Sequence, residues 1–364
     1  MPTAERKPLR HLPIRRALFS IACAGALTAG LSSGPAEATH PGQNGRIVFH
    51  RGDDSGFDQV WTANPDLTAQ HKLTDEKAHS GFATWSPDAT HIAFDSNRSD
   101  PDPDDGLGVN DVFTMRADGS DVRKLTDSVG FSGDPAYSPD GSLIAFEADR
   151  GVTSGHPGWP AAWPNAGIFV INADGLGMRR VTSPPAGSSD MEPRFSPDGT
   201  RVLFTRFRGG HFFEADRTPV GDTSALFTIK LDGTALHRVT GWGGKAGQAD
   251  WSPDGSRLVF EEACCRPGGN GIFTVRADGS GLAALVRGGL TGIGSEQTVQ
   301  LDGYYDPVWS PDGTKILAGH ETYDTEAGYR SGLVVADADG SDLDWVTMDV
   351  QHEHQPDWGT APLE

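Results

Sequence analysis

Basic residues are in short supply in this sequence. Thirty Lys and Arg face fifty Asp and Glu over 364 residues, a formal charge of −20. A surface of that sign repels phosphate backbones, which excludes nucleic acid as the expected partner and favours cations and basic protein segments. Cysteine is scarcer still. Cys23, Cys264 and Cys265 are the whole complement, and no Cys-x-x-Cys pattern is present. A P-loop is missing. The one Gly-x-Ser-x-Gly match, Gly30 to Gly34, lies in the N-terminal stretch and not between a strand and a helix, so it defines no nucleophile elbow. Only one long apolar run exists, which excludes a multi-span membrane protein. Long helices are excluded too, because 47 Gly and 25 Pro, about a fifth of the chain, interrupt any helical stretch.

The single apolar run is an address. Arg15 and Arg16 close a basic segment, a charge-free stretch runs from Ala17 to Leu31, and Ala36-Glu37-Ala38 supplies a small-x-small cleavage pattern. Residues 1–38 are expected to be an export signal, since a run of about 15 residues is short for a membrane span. The arginine pair leaves a twin-arginine route and an ordinary secretory route both open. The expected mature chain, 39–364, holds no integral membrane span. Removing 1–38 takes away five basic and two acidic residues and leaves the remainder still more acidic. Export permits disulfides, but adjacent Cys264 and Cys265 could join only through a strained ring.

What is present in abundance is repetition. Ser-Pro-Asp recurs at Ser86, Ser138, Ser196, Ser252 and Ser310, each preceded by an aromatic: Trp85, Tyr137, Phe195, Trp251 and Trp309. A sixth aromatic, Trp358, follows Gln355-Pro356-Asp357. After each complete anchor comes an apolar triplet such as Ile92-Ala93-Phe94, a variable stretch, a second apolar run such as Val112-Phe113-Thr114-Met115, and an Asp-Gly turn such as Asp118-Gly119. Pro presets φ, Asp bonds the turn backbone and Gly accepts positive φ, so these are turns bounding short strands. Each unit reads as a four-stranded antiparallel meander. Such a unit must stack on neighbours to bury both faces, and radial stacking gives a β-propeller.

The ends complete one another. Ile47-Val48-Phe49, Val60-Trp61-Thr62 and Lys72-Leu73-Thr74 supply the later part of a repeat without an anchor, while 352–358 supplies an anchor alone. The expected fold is therefore all-β, a six-bladed β-propeller of four-stranded antiparallel blades, closed by pairing of N- and C-terminal strands. The Trp-Ser-Pro-Asp-Gly-x-x-[Ile/Leu]-x-Phe pattern with its Ala-Asp-Gly turn resembles the TolB-like propeller repeats of bacterial envelope proteins, over residues 45–359. The resemblance also implies an α/β domain ahead of the propeller, for which there is no room between Ala38 and Ile47. Similar repeats form the propeller of prolyl-oligopeptidase-type enzymes, whose hydrolase domain has no counterpart here.

Candidate site residues follow from strand alternation. Three residues before each aromatic stand Phe82, Asp134, Glu192, Gln248, Asp306 and Gln355. Five before stand Ser80, Ser132, Asp190, Ala246, Tyr304 and Glu353. Strict alternation puts both sets on one face of the innermost strand, so Asp134, Asp190, Glu192, Asp306 and Glu353 are expected to share the axial channel. That cluster reads as a water-filled acidic channel, or as a site for a divalent cation or basic peptide. His352 and His354 share a strand face that could add a metal ligand pair. Asp100 to Gly106 reads as a solvated acidic hairpin tip, since its Gly is misplaced for an EF-hand. Length variation falls on one face of the ring, at 95–111, 147–167, 207–225, 261–271, 286–304 and 319–332, and these stretches carry Trp159, Trp163, Phe212, Phe213, Tyr304, Tyr305, Tyr323 and Tyr329. Aromatics on variable loops of a rigid scaffold suit recognition of a partner.

The composite expectation is an exported, monomeric, non-enzymatic scaffold that binds a protein or peptide and needs no resident cofactor. The alternative is a propeller lyase or hydrolase acting on saccharide or peptide through the acidic channel, with or without a metal.

Overall fold

A computed structural model describes residues 42–52, 56–100, 110–127, 130–149, 166–208, 223–262, 271–291, 300–324, 328–346 and 353–364. They form six antiparallel sheets, five of four strands and one of five. Blade 1 begins at the inner strand Ser80–Trp85, blade 2 at Ser132–Tyr137, blade 3 at Ser188–Phe195, blade 4 at Ala246–Trp251 and blade 5 at Gln300–Trp309. Blade 6 is assembled from both ends of the sequence. Its inner strand Glu353–Trp358 pairs antiparallel with Ile47–Gly52, placing Trp358 opposite Ile47 and Glu353 opposite Arg51. The expected closure is therefore present, and it removes the open edge of Ile47–Gly52. The tail beyond Trp358 extends the seam: Gly45 N–H donates to the Gly359 carbonyl at 3.0 Å, and Trp358 Nε1–H to the Gly45 carbonyl at 3.0 Å.

The turns owe their shape to the repeated side chains. Each Ser-Pro-Asp serine hydroxyl donates to the aspartate two residues on at 2.6–2.7 Å, and that carboxylate also accepts the N–H two residues further along. The residue after the aspartate is left-handed in all five: Gly141, Gly199, Gly255 and Gly313, with Ala89 at φ 56° in the first.

The core is a stack of seams between blades. Phe49, Phe94, Phe146, Phe204 and Phe260 are fully buried. Four of them stack on a third-strand phenylalanine of the same blade, with ring centroids 5.7–6.0 Å apart. Such pairs add about 0.5–1.5 kcal/mol each beyond their area. Blade 5 breaks the pattern: the pair there is Ala318 opposite Val334. The missing ring volume leaves an apolar crevice between blades 4 and 5, lined among others by Ile272, Leu285, Ile316, Ala318 and Val334.

Two expectations about the variable side need correction. The stretch 319–332, read as a loop, is mostly a hairpin: Lys315–Asp324 pairs with Gly328–Asp337 in continuous register. Tyr304 and Tyr305 likewise stand on the inner strand Gln300–Trp309 and not on a loop. The extension carries the strand formers Thr322, Tyr323 and Tyr329, which favour continued pairing.

Candidate functional site

Each inner strand carries a β-bulge at the same place. The residue three before the aromatic is left-handed in all six blades: Phe82, Asp134, Glu192, Gln248, Asp306 and Gln355 have φ between 45° and 59°. The ladder register slips at each of these points. None is glycine, so each costs on the order of 1–2 kcal/mol of backbone strain, and the bulge takes its N–H out of the ladder.

Carboxylates reached across the blade seams offset this. Glu147 Oε2 accepts the Glu192 N–H at 2.9 Å, Glu192 Oε2 accepts the Gln248 N–H at 2.7 Å, and Glu261 Oε2 accepts the Asp306 N–H at 3.3 Å. Asp95 accepts the Asp134 N–H and Asp306 accepts the Gln355 N–H. The usual acceptor is the residue just after the apolar triplet of the preceding blade: Asp95, Glu147 and Glu261. Where that position is Thr205 or Gly319, the bulge residue of the same blade, Glu192 or Asp306, reaches forward instead. The Thr205 hydroxyl braces Glu192 at 2.6 Å. Gly319 leaves room for Tyr305, whose ring would lie 2.1 Å from a Cβ there. At blade 1 the neighbour is His50, whose ring lies 3.3 Å from a Cβ built on Gly81.

These carboxyls surround the axis in a water-poor setting, so they hold protons tightly. Burial, with the Asp134 charge, pushes Asp95 up to about 8. Burial pushes Glu192 up to about 7 against the opposing Thr205 and Gln248 hydrogen bonds. Asp306 rises to about 7 through burial and the charges of Glu192 and Asp134. Glu147 and Glu261 are driven well above the ordinary carboxylate range, by burial first and then by neighbouring acids. Arg194 answers them. Its Nη1 donates to Asp134 Oδ1 at 2.9 Å and to its own Pro193 carbonyl at 2.8 Å. Burial works against its charge, but Asp134, Asp250 and Asp357 outweigh that and hold it firmly protonated. A small axial cavity is lined by Phe82, Arg194, Gln248, Asp250, Asp306 and Gln355 among others.

The structure thus brings Asp134, Glu192 and Asp306 together and sends Asp190 and Glu353 elsewhere. Asp190 pairs with Arg206 at 2.5 and 2.8 Å, and Glu353 with Arg51 at 2.5 Å. The bulge is the reason: an extra residue between the two sets breaks the alternation that would give them one face. The position five before the aromatic is instead a cross-strand pair with the second strand. In blade 5 that pair is Tyr304 and His320, stacked with centroids 4.1 Å apart and planes 2° from parallel. Tyr304 is buried there. Tyr305 lies 5.3 Å from the His354 ring, which stacks in turn on His50 at 5.5 Å. Burial drives His50 down to about 4, so that ring is neutral at physiological pH. Tyr329 is exposed on the extended hairpin, with Tyr323 opposite it in the ladder. Trp159, Trp163, Phe212, Phe213, Cys264, Cys265, His352 and positions 101–106 lie outside the described residues. Among the described residues no three His, Cys, Asp or Glu are arranged to hold a metal ion.

Asp95, Glu147, Glu261 and Arg194 were missed in sequence. The first three carry a usable signal, an acid directly after the apolar triplet in three of six repeats.

Ring closure, the six seams and the bulged inner strands define the chain as a six-bladed β-propeller. No family model matches it. Over an alignment of 152 positions, which covers 34% of this chain and 33% of the relative, the sequence is 31% identical to a protein TolB homolog of Chlorobium luteolum. Among solved structures, TolB from Acinetobacter baumannii superposes with a TM-score of 0.61 at 18% identity, over 86% of this chain and 66% of that one. A putative TolB from Agrobacterium tumefaciens superposes at 0.56 and 18% identity, over 88% of this chain and 94% of that one. The chain spans between about a third and three fifths of the curated relatives it matches. Its propeller fold is similar to that of these TolB proteins.

Proposed function

We propose that the chain acts outside the cytoplasm as a binding scaffold, taking a protein or peptide on the face opposite its Ser-Pro-Asp turns. One observation carries this reading, the contrast between the two faces. On the turn face every Ser-Pro-Asp turn is short and closed on itself by hydrogen bonds. On the other face the blades rise unequally. The first three strands are six residues long in blades 1, 2 and 4, eight in blade 3 and ten in blade 5. An uneven rim on a rigid ring, with Tyr329 exposed on its tallest hairpin, suits shape-specific recognition. The acid excess of the chain favours a basic partner, and the signal-like residues 1–38 support export. Among the described residues no helix is long and apolar enough to cross a membrane.

The enzymatic alternative has less support. Asp134 is paired with Arg194, while Glu192 and Asp306 each accept a backbone N–H of the next blade. A pull-down from envelope extract tests the scaffold reading. A partner retained by the parent chain and lost when Trp159, Trp163 and Tyr329 are all changed to Ala supports it. An unchanged set of captured proteins overturns the assignment of that face.

A further inference from the structure

We infer that the propeller axis carries a binding site for a guanidinium or comparable cation, and that the chain fills this site itself with Arg194. Arg194 is the one basic side chain among the described residues lining the axial cavity. It meets Asp134 at 2.9 Å and feels Asp250 and Asp357 from other blades.

The repeat shows that the arginine is not there to build the strand. The residue just before the anchor aromatic is Thr84, Ala136, Arg194, Asp250, Val308 or Asp357 in the six blades. Two of these fasten neighbouring blades, since Asp250 accepts the Trp309 N–H at 2.9 Å and Asp357 the Trp85 N–H at 2.8 Å. Arg194 takes no backbone N–H of a neighbouring blade; it reaches Asp134 of the preceding blade with its charge and lines the axial cavity. A separate observation points to a cation site. Asp134 is 2% exposed, and its Oδ2 has no hydrogen-bond partner, so the arginine engages only one oxygen of a carboxylate that could accept a bidentate fork. A carboxylate that stays ionised while buried in this ring needs a positive charge beside it, and a planar guanidinium fits that need better than an ammonium does. It follows that a free divalent cation, or an arginine from a partner, meets an occupied site in the unaltered protein.

The test is thermal melting of the full chain with and without 5 mM guanidinium chloride or calcium chloride, at ionic strength matched with sodium chloride. The parent protein is expected to melt at the same temperature in all three. Arg194→Ala is expected to melt several degrees lower and to regain part of that loss with guanidinium or calcium. A parent protein that responds to the cations as the variant does, or a folded variant that responds to neither, overturns the inference. Should Arg194→Ala fail to fold, Arg194→Ala combined with Asp134→Asn is expected to fold and to melt above Arg194→Lys combined with Asp134→Asn. The reverse order would equally overturn it.

Discussion

The protonated state of the inner ring sets a pH dependence of stability whose sign can be worked out. Glu192 and Asp306 hold protons up to about 7 in the folded protein, and Asp95 up to about 8, through burial and mutual repulsion. The folded state therefore binds protons that the unfolded chain has already released. This contribution is fully present below about pH 4, where both states are protonated, and is lost as pH rises through 7 to 8. For Glu192 alone, the interval from its ordinary 4.5 to about 7 corresponds to about 3 kcal/mol by pH 8, as an order of magnitude. At roughly 2 °C per kcal/mol for a domain of this size, the melting temperature should fall by about 5 °C or more between pH 5.5 and 8.5. The turn aspartates act in the opposite sense. The Ser138 hydroxyl lowers Asp140 and the Ser252 hydroxyl lowers Asp254, so their contribution is lost below about pH 4. Maximum stability should lie near pH 5. Glu192→Gln keeps an acceptor for the Gln248 N–H but carries no charge, so it should melt above the parent at pH 8.5 and near it at pH 5.5. Differential scanning calorimetry at constant ionic strength reads both. A parent melting temperature that is flat or rising from pH 5.5 to 8.5 refutes the reasoning, as does a Glu192→Gln variant equally weakened at both ends.

Other perturbations follow from single positions. Ala89→Gly relieves a left-handed alanine where the other four turns have glycine; after the extra chain entropy of Gly it should gain about 0.5–1 kcal/mol, read in urea unfolding. Gly319→Ala drives a methyl into the Tyr305 ring and should cost about 1–3 kcal/mol, with Tyr305→Ala in the same chain restoring most of the loss. Trp358→Ala removes a side chain that is 5% exposed and bonded to the Gly45 carbonyl, and should cost about 3–5 kcal/mol. Removing 353–364 altogether uncovers the edge of Ile47–Gly52, and light scattering should show association into larger species.

Much of the architecture was legible because the repeat is a chemical requirement repeated five times over. Ser-Pro-Asp-Gly closes a turn by its own side chains wherever it stands, so Ser138 and Ser252 announce strand ends without tertiary help. Closure was legible for a related reason: Trp358 is an anchor lacking its successors, and Ile47-Val48-Phe49 a set of successors lacking its anchor. The bulge was not legible. Period-two reasoning assumes one residue per ladder step, and a left-handed position normally advertises itself with glycine or asparagine. Here the six positions hold Phe, Asp, Glu, Gln, Asp and Gln. The sign lay one residue earlier, where Gly81, Gly133 and Gly247 leave room for the neighbouring blade. A Cβ on Gly133 would sit 2.6 Å from Asp95 Oδ2. The hairpin of blade 5 was hidden for another reason. Glu321, Asp324 and Arg330 interrupt its apolar periodicity, and its buried positions are the polar His320, Thr322 and Ser331, which record no apolar pattern.

The origin of the acid in the channel follows from that bulge. Taking an N–H out of the ladder at the inner strands frees backbone donors at the seams, five of which are met by a carboxylate across the seam, and a buried donor demands an acceptor. A carboxylate is the acceptor that reaches furthest and binds most strongly. The repeat therefore accumulates Asp95, Glu147, Glu192, Glu261 and Asp306 around one axis for reasons of blade-to-blade joining. Proton uptake by the most buried of them and the charge of Arg194 then hold down the repulsion that results. An acidic propeller channel of this kind is a consequence of how the ring is fastened, whereas strand length varies from blade to blade only at the opposite rim.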